Sequence, residues 1–201
     1  MKLKKITIHN IASIEDAVID FEVAPLCEES RFLICGPTGS GKSTLLDAIS
    51  LALFGTTPRL ENAANESYTD KYDNFKSGIP EAVRTDDPRM LMRRGALDAS
   101  AELLFTDKDG RGLKSGWSCR RARGKSDGTI QDWNLVLYDS DGAVLSNRKS
   151  ETKRLIMERI GLSFEQFCRT TMLAQGDFTR FLKSNESEKS EILEKLTGTE
   201  I

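Results

Sequence analysis

Histidine is almost absent from this sequence, and its cysteines are not paired. His9 is the only histidine, and no Cys-x-x-Cys pair occurs among Cys27, Cys35, Cys119 and Cys168. This distribution is not that of a zinc centre or a disulfide framework, and it predicts reduced thiols. A Ser-His-Asp site would have to use His9, which ends a strand-like alternation and is interpreted as a structural histidine. Cys35 ends an apolar run and is expected in the core.

Long apolar segments are also missing. The longest apolar runs, such as Leu51–Phe54, have four residues, whereas a membrane-spanning helix needs about 20. The amino end lacks the apolar core and the cleavage site of a signal peptide. These absences predict that the protein has no membrane partner and a cytoplasmic location.

No excess charge of either sign marks the chain as a whole. The net charge is −2 over 201 residues, so a nucleic-acid site would have to be a local patch. Charged residues make up 30% and hydrophobic residues 38%, as is usual for a globular protein. A chain of this length can bury about 70% of its unfolded surface, which predicts one domain with a small appendage and no need of disulfides.

Apolar patterning in the first 60 residues predicts strands followed by a buried helix. Alternation over Lys2–His9 and Ile14–Glu22, with a short link between them, predicts an antiparallel pair. The continuous apolar run Phe32–Cys35 is typical of a strand buried on both faces, as in a parallel sheet. A helix apolar on nearly its whole circumference is predicted from about residue 41 to 54, and Gly55 closes it.

The rest of the chain predicts a small antiparallel sheet on this parallel core, and then helices. Glu61–Asp87 is polar and weakly patterned. From about Ser150 the period changes to 3.6, with a helix that Gly161 ends and a capping box formed by Ser163 and Gln166. The last segment, 184–201, is typical of the first turns of a coiled coil. The predicted strands of the small sheet are Ala99–Thr106, Gly112–Arg123 and Trp133–Tyr138.

A glycine-rich segment directly follows the predicted buried strand. It matches the pattern G-x-x-x-x-G-K-[ST] and is followed by the predicted helix. Glycines let backbone N–H groups approach phosphate oxygens, and the amino end of the helix adds about half a positive charge. The pattern predicts binding of ATP with magnesium, with Lys42 on the β and γ phosphates and Ser43 on the metal. The predicted ATP-binding residues are Gly36, Pro37, Thr38, Gly39, Ser40, Gly41, Lys42, Ser43 and Thr44.

A P-loop by itself does not hydrolyse ATP, because an acid on magnesium and a group that orients water are also needed. Leu135–Asp139 is an apolar run that ends in an acid, but Asp139 opens the sequence Ser-Asp-Gly and is interpreted as a turn residue. Asp47, one turn into the helix, is interpreted as an acid that interacts favourably with the helix dipole. The chain is therefore predicted to carry half of an ATPase site.

Several segments together resemble the SbcC family, the ATPase subunits of bacterial SbcCD exonucleases. The resemblance involves the P-loop with its helix, two short motifs that follow, the surroundings of Gln175, and the carboxyl end. The matching segments are Gly36–Phe54, Thr57–Leu60, Met92–Gly95, Met172–Phe178 and Leu193–Ile201.

This resemblance implies an α/β P-loop NTPase fold of the ABC-type head class, split between two terminal segments. Residues 1–183 would be the amino-terminal half of the head, and 184–201 would begin the coiled-coil helix. The carboxy-terminal half of the same protein would hold the signature motif, the Walker B acid and the catalytic glutamate, so ATPase activity is expected only after assembly. Gln175 matches the Q-loop glutamine; Gln175 and Lys42 are expected to be catalytic, and Ser43 and Gln175 to contact magnesium.

The function implied by the resemblance is the coupling of ATP binding and hydrolysis to DNA-end processing. The implied partners are a second head in an ATP-dependent homodimer, an SbcD-like nuclease and double-stranded DNA, in a nucleoid-associated setting. An SMC- or RecN-like chromosome-organising ATPase without a nuclease shares the P-loop and Gln-loop and stays open as an alternative. The motif Thr57-Pro58-Arg59 favours SbcC.

A cluster of basic residues between positions 111 and 125 contains no acid. Trp117 lies within it. One interpretation is the solvated surface of a hairpin, where basic side chains discourage edge pairing. The other is a surface that contacts the phosphates of duplex DNA without reading bases. The candidate DNA-contacting residues are Arg111, Lys114, Arg120, Arg121, Arg123 and Lys125.

Overall fold

The computed structural model describes residues 1–28, 34–61, 67–69, 82–84 and 86–171. Its contacts group the chain into two compact units, 1–160 and 161–201. The boundary predicted between residues 183 and 184 falls outside the described residues and stays a prediction. None of the described helices has the length and apolar character needed to cross a membrane.

Strands account for most of the regular structure of the first unit. The strands are β1 (Lys2–Ile11), β2 (Ile14–Asp20), β3 (Ser67–Thr69), β4 (Ala82–Arg84), β5 (Asp98–Thr106), β6 (Gly112–Arg120), β7 (Asn134–Asp139) and β8 (Val144–Ser146). The α-helices of this unit are α1 (Lys42–Phe54), α2 (Pro58–Glu61) and α3 (Lys149–Ile160), and a 3-10 helix spans Pro88–Leu91.

Six of the strands form one sheet in the order β2-β1-β5-β6-β7-β8, and each neighbouring pair is antiparallel. β3 and β4 form a separate antiparallel pair. The predicted antiparallel pair at the amino end and the predicted hairpin of β5 with β6 are therefore confirmed. The sheet is larger than expected, because β1 and β2 join the hairpin through the pairing of β1 with β5.

The core lies between one face of this sheet and the helices α1 and α3. Alternate residues of β5 and β6 point into it, so that Leu103, Phe105 and Trp117 are fully buried. Buried residues occur around nearly the whole circumference of α1, as its composition predicts. Burial of α3 is confined to one face, through Thr152, Ile156 and Ile160.

The predicted strand before the P-loop is not found where the structure describes it. Ile34 is 41% exposed, Cys35 is exposed, and neither lies in a strand. The expectation of a core position for Cys35 is therefore wrong, and no parallel pair occurs among the described strands. The physical reason is that a strand buried on both faces needs a neighbour on each side, and the described residues bring none to 34–35.

The helix-ending signals are confirmed. Gly55 closes α1 with φ 61° and donates its N–H to Leu51 O at 2.8 Å, and Gly161, with φ 73°, follows α3. In the second unit, helix α4 (Phe164–Thr171) begins with the predicted capping box. Ser163 Oγ accepts from Gln166 N at 3.2 Å, and Gln166 Oε1 accepts from Ser163 N at 2.9 Å.

A tryptophan fits against the glycine that ends α1. A Cβ at Gly55 would lie 2.6 Å from the ring of Trp133. Two lysines also contact that ring, with Lys149 Nζ 4.2 Å and Lys153 Nζ 5.3 Å from its centroid. A side chain at position 55 would therefore require an unfavourable left-handed backbone and would also clash with Trp133.

We expect Gly55→Ala to destabilise the protein by more than the roughly 1–2 kcal/mol of a left-handed alanine, because Trp133 must also move. Gly110→Ala is the matched control, since Gly110 has φ 82° and nothing within 4 Å of its Cβ position. Urea denaturation of both variants measures the difference. Equal losses of stability would show that the contact with Trp133 adds nothing.

Candidate nucleotide-binding site

The P-loop has a backbone that glycine permits. Gly36, Gly39 and Gly41 all have positive φ, at 154°, 85° and 91°. A Cβ at Gly41 would lie 3.2 Å from Ile14 Cγ1, so glycine is needed there for close approach as well as for conformation. Residues 34–40 are exposed, and the loop is therefore accessible to a ligand.

Lys42 closes the loop upon itself. Its Nζ donates to Gly36 O at 2.7 Å and to Pro37 O at 2.8 Å, and it lies 3.5 Å from Ser40 Oγ. The ammonium group is thus placed over the loop, on carbonyl oxygens that a phosphate oxygen can replace as acceptors. This arrangement fits the predicted role of Lys42 as a cation for phosphates.

The first turn of α1 provides further donors. The first intrahelical hydrogen bond runs from Leu45 N to Gly41 O at 2.9 Å, so the N–H groups of Lys42, Ser43 and Thr44 have no acceptor within the helix. Ser43 is exposed, as a metal ligand should be, whereas Thr44 is only 5% exposed. Thr44 Oγ1 lies 3.2 Å from Ser13 Oγ in the β1–β2 turn.

Asp47 does not have the role that its position in the helix suggested. It lies beyond the first turn of α1, is 4% exposed, and its Oδ2 is 2.7 Å from the guanidinium of Arg59. Burial raises the pKa of Asp47 above its ordinary value, although Arg59 and a hydrogen bond with Thr57 act in the opposite direction. Asp47 is therefore a buried carboxylate that pairs with the half-exposed Arg59 in the segment after the helix, and the dipole interpretation is wrong.

Two other sequence interpretations are confirmed. Asp139 Oδ1 accepts from the N–H groups of Asp141 and Ala143 at 2.9 and 2.8 Å, so it is a turn residue. His9 Nδ1 is 2.6 Å from Asp16 Oδ1, and this hydrogen bond raises the pKa of His9. No group of three side chains suited to a metal occurs in the described ranges, and Gln175 lies outside them.

The basic cluster is divided by the fold. Arg121 is 4% exposed and donates to Ala96 O at 3.1 Å and Gly128 O at 2.9 Å, so it cannot contact DNA. Lys114 pairs with Glu102 at 3.0 Å, and Trp117 is buried. At the end of β6, Cys119 is buried and Arg120 is exposed. Arg121, the first residue after the strand, is buried again. The exposed members of the cluster are Arg111, Arg120, Arg123 and Lys125.

Three residues near the P-loop had no role assigned from the sequence. Ser13 lies in the β1–β2 turn, Arg59 pairs with Asp47, and Arg93 reaches Ser13 O at 3.2 Å. Arg59 and Arg93 belong to the short motifs that carry the family resemblance, and those motifs are the feature of the sequence that could have identified them. Their partners are distant in sequence, so no spacing rule could identify the contacts.

We expect Arg59→Ala to destabilise the protein by about 1–2 kcal/mol at neutral pH, because it removes the half-exposed counter-charge of the buried Asp47 carboxylate. A raised pKa in the folded state means that protonation of Asp47 favours folding, and this contribution is lost as pH rises through the folded pKa. The loss of the arginine raises that pKa further, so the destabilisation should be larger at pH 7.5 than at pH 5. Urea denaturation at both pH values measures this.

The double variant Asp47→Asn/Arg59→Ala tests the cause, since it removes the buried charge itself. It should be more stable than Arg59→Ala at pH 7.5 and should lose the additional pH dependence. Lys108→Ala, which removes an exposed positive charge elsewhere, is the control for net charge. A double variant no more stable than Arg59→Ala would contradict the ion-pair explanation.

Comparison with known proteins assigns the chain to a family. The model of the AAA domain family AAA_23 matches residues 5–201. The chain is 40% identical over 202 residues to the SbcC component of the SbcCD nuclease of Pseudomonas aeruginosa, covering 99% of this chain and 16% of that protein. The protein of the same name from Rhodobacter capsulatus is 39% identical over 201 residues, with 99% and 16% covered.

More distant similarities extend the set. The SbcC component of the SbcCD nuclease of Bacillus subtilis is 29% identical over 92% of this chain and 14% of that protein. A solved structure, "Structure of the recombination mediator protein RecF-ATP in RecFOR pathway", has a TM-score of 0.46 and 14% identity over 96% of this chain and 37% of that one. The chain spans 16% of the length of the first two curated relatives. Because the family model covers nearly all its residues, the chain belongs to the AAA domain family.

Proposed function

We propose that this chain is the ATP-binding, amino-terminal half of an ABC-type ATPase head, and that the complete head couples ATP hydrolysis to DNA-end processing by an SbcD-like nuclease. The similarity to SbcC components of SbcCD nucleases over 99% of the chain supports this proposal. The same similarity favours it over a chromosome-organising ATPase that works without a nuclease.

The observation that carries the proposal is the P-loop with Lys42 folded onto its carbonyls. ATP would receive hydrogen bonds from the exposed loop and from the amino end of α1, and Lys42 would exchange Gly36 O and Pro37 O for phosphate oxygens. Ser43 and Gln175 would hold magnesium, which neutralises phosphate charge when bound. The unpaired N–H groups at the start of α1 fit this ligand, since they need acceptors.

Hydrolysis requires groups that the described residues lack. Asp107, which follows β5, and Asp139, which ends β7, each accept two backbone N–H groups of a turn, so neither carboxylate is available for magnesium. We infer that the carboxy-terminal half of the same protein supplies the acids and that a second head completes the site. ATP turnover is therefore expected only from the assembled head.

One end of β6 is the part of the basic cluster best placed for duplex DNA. The nine residues of β6 span roughly 26 Å at about 3.3 Å per residue. Arg111, just before the strand, is therefore far from Arg123, just after it. Arg120, Arg123 and Lys125 are exposed together at the end of β6 and in the turn after it. We assign these three side chains to phosphate contacts of the assembled head.

Lys42→Ala should abolish stabilisation of the protein by ATP with magnesium, because Lys42 brings the full positive charge to the phosphates. At a hundredfold excess over the dissociation constant, ligand binding adds about 2.7 kcal/mol of stability. Thermal unfolding with and without ATP measures this, and Lys108→Ala is the matched control. An equal shift in wild type and Lys42→Ala, or none in either, would overturn the P-loop assignment.

Arg123→Gln/Lys125→Gln should weaken binding of the assembled head to unrelated duplexes by the same factor. Loss of two phosphate contacts should reduce the slope of log affinity against log salt by about 1.8. Lys108→Gln/Arg111→Gln makes the same charge change at the other end of β6 and should leave the slope nearly unchanged. Equal effects of the two double variants would attribute the loss to net charge and not to this surface.

A further inference from the structure

The turn between β1 and β2 has a conformation that needs support. Asn10 and Ala12 have φ of 52° and 44°, in the left-handed region that side chains rarely adopt. Such residues persist only where surrounding groups determine their conformation. The turn lies next to the P-loop, since Ile14 and Ser13 are the neighbours of Gly41.

The support comes from one short segment, 91–93. Leu91 O accepts from Ala12 N at 2.7 Å, and Asn10 O accepts from Arg93 N at 2.8 Å. The guanidinium of Arg93 adds a side-chain contact by donating to Ser13 O at 3.2 Å. Its other nitrogen is 3.5 Å from Glu15 Oε2, on the far side of the same turn. Arg93 therefore contacts both the backbone of Ser13 and the side chain of Glu15.

Ser13 in turn contacts the P-loop helix through its hydroxyl group. Ser13 Oγ and Thr44 Oγ1 are 3.2 Å apart, and the threonine is almost fully buried. A hydroxyl has one proton to donate and can accept from others. When Ser13 donates to Thr44 Oγ1, the proton of Thr44 stays available for an acceptor of its own. The Ser13 hydroxyl is therefore the described side-chain partner that limits the orientations open to the Thr44 hydroxyl.

We propose that Arg93 is a positioning residue for nucleotide binding, acting through Ser13 on Thr44. The inference rests on the proposed function, in which Thr44 belongs to the phosphate-binding residues. Arg93 holds Ser13 by its backbone carbonyl, Ser13 orients the Thr44 hydroxyl, and Thr44 presents its proton to a phosphate oxygen. The role proposed for Arg93 is geometric, because its guanidinium contacts the Ser13 carbonyl and the Glu15 carboxylate.

A double-mutant cycle in the assembled head separates this mechanism from a general effect of charge. Arg93→Ala and Ser13→Ala should each weaken binding of magnesium ATP by about three- to tenfold, the effect of losing one hydrogen bond. The combined variant should bind magnesium ATP no more weakly than the single variant of lower affinity, because both changes break the same chain of contacts. Binding is measured by calorimetry below the onset of unfolding, with circular dichroism as the check on folding.

The outcomes distinguish the possibilities. Equal weakening by Arg93→Ala in the presence and absence of the Ser13 hydroxyl would overturn the proposal, since the arginine would then act independently of Ser13. Unchanged affinity in Arg93→Ala, with wild-type binding intact, would also overturn it. Lys108→Ala removes the same charge elsewhere and should not change affinity. Failure of the wild-type head to bind ATP would instead refute the proposed function.

Discussion

The candidate site depends on one helix that is buried along its sides and open at its amino end. Leu51, Ala52 and Leu53 of α1 have no exposed surface, because the helix packs against the sheet and also contacts α3. Glycines with positive φ stand at both ends, Gly41 and Gly55. A helix held in this way cannot rotate without disturbing the core, so the free N–H groups of its first turn keep a fixed direction. Their positive end is therefore already in place for a phosphate before one binds.

Three polar residues of α1 are buried and need polar partners, and the fold supplies one for each. Thr44, Asp47 and Ser50 are three residues apart, and this spacing places them along one face of the helix. Thr44 meets Ser13, Asp47 meets Arg59, and Ser50 Oγ donates to Thr56 O at 2.8 Å. A buried polar group without a partner is costly. This polar row therefore specifies which segments lie against the P-loop helix, and it joins the β1–β2 turn and the segment after α1 to the site.

Sequence patterns predicted the elements whose determinants are local. The hairpin of β5 and β6, helix α1 and the capping box at Ser163 all follow from periodicity and terminal residues within a few positions. The positions of Arg121 and Arg93 could not be predicted in this way, because their acceptors are backbone carbonyls of distant loops and turns. The run ending at Cys35 shows a different difficulty. Its apolar composition indicates burial, but burial of a central strand depends on neighbours that the described residues do not provide.

The groups that the described residues bring to the site suit phosphate binding better than hydrolysis. The groups that attract a phosphate chain are all close in sequence: the loop amides, the helix amino end and Lys42. An acid for magnesium must come from a neighbouring strand, and Asp139 is unsuited to that task because its carboxylate already accepts two backbone N–H groups. Under the proposed function that acid would come from the carboxy-terminal half, next to a loop whose phosphate-binding groups are already in place.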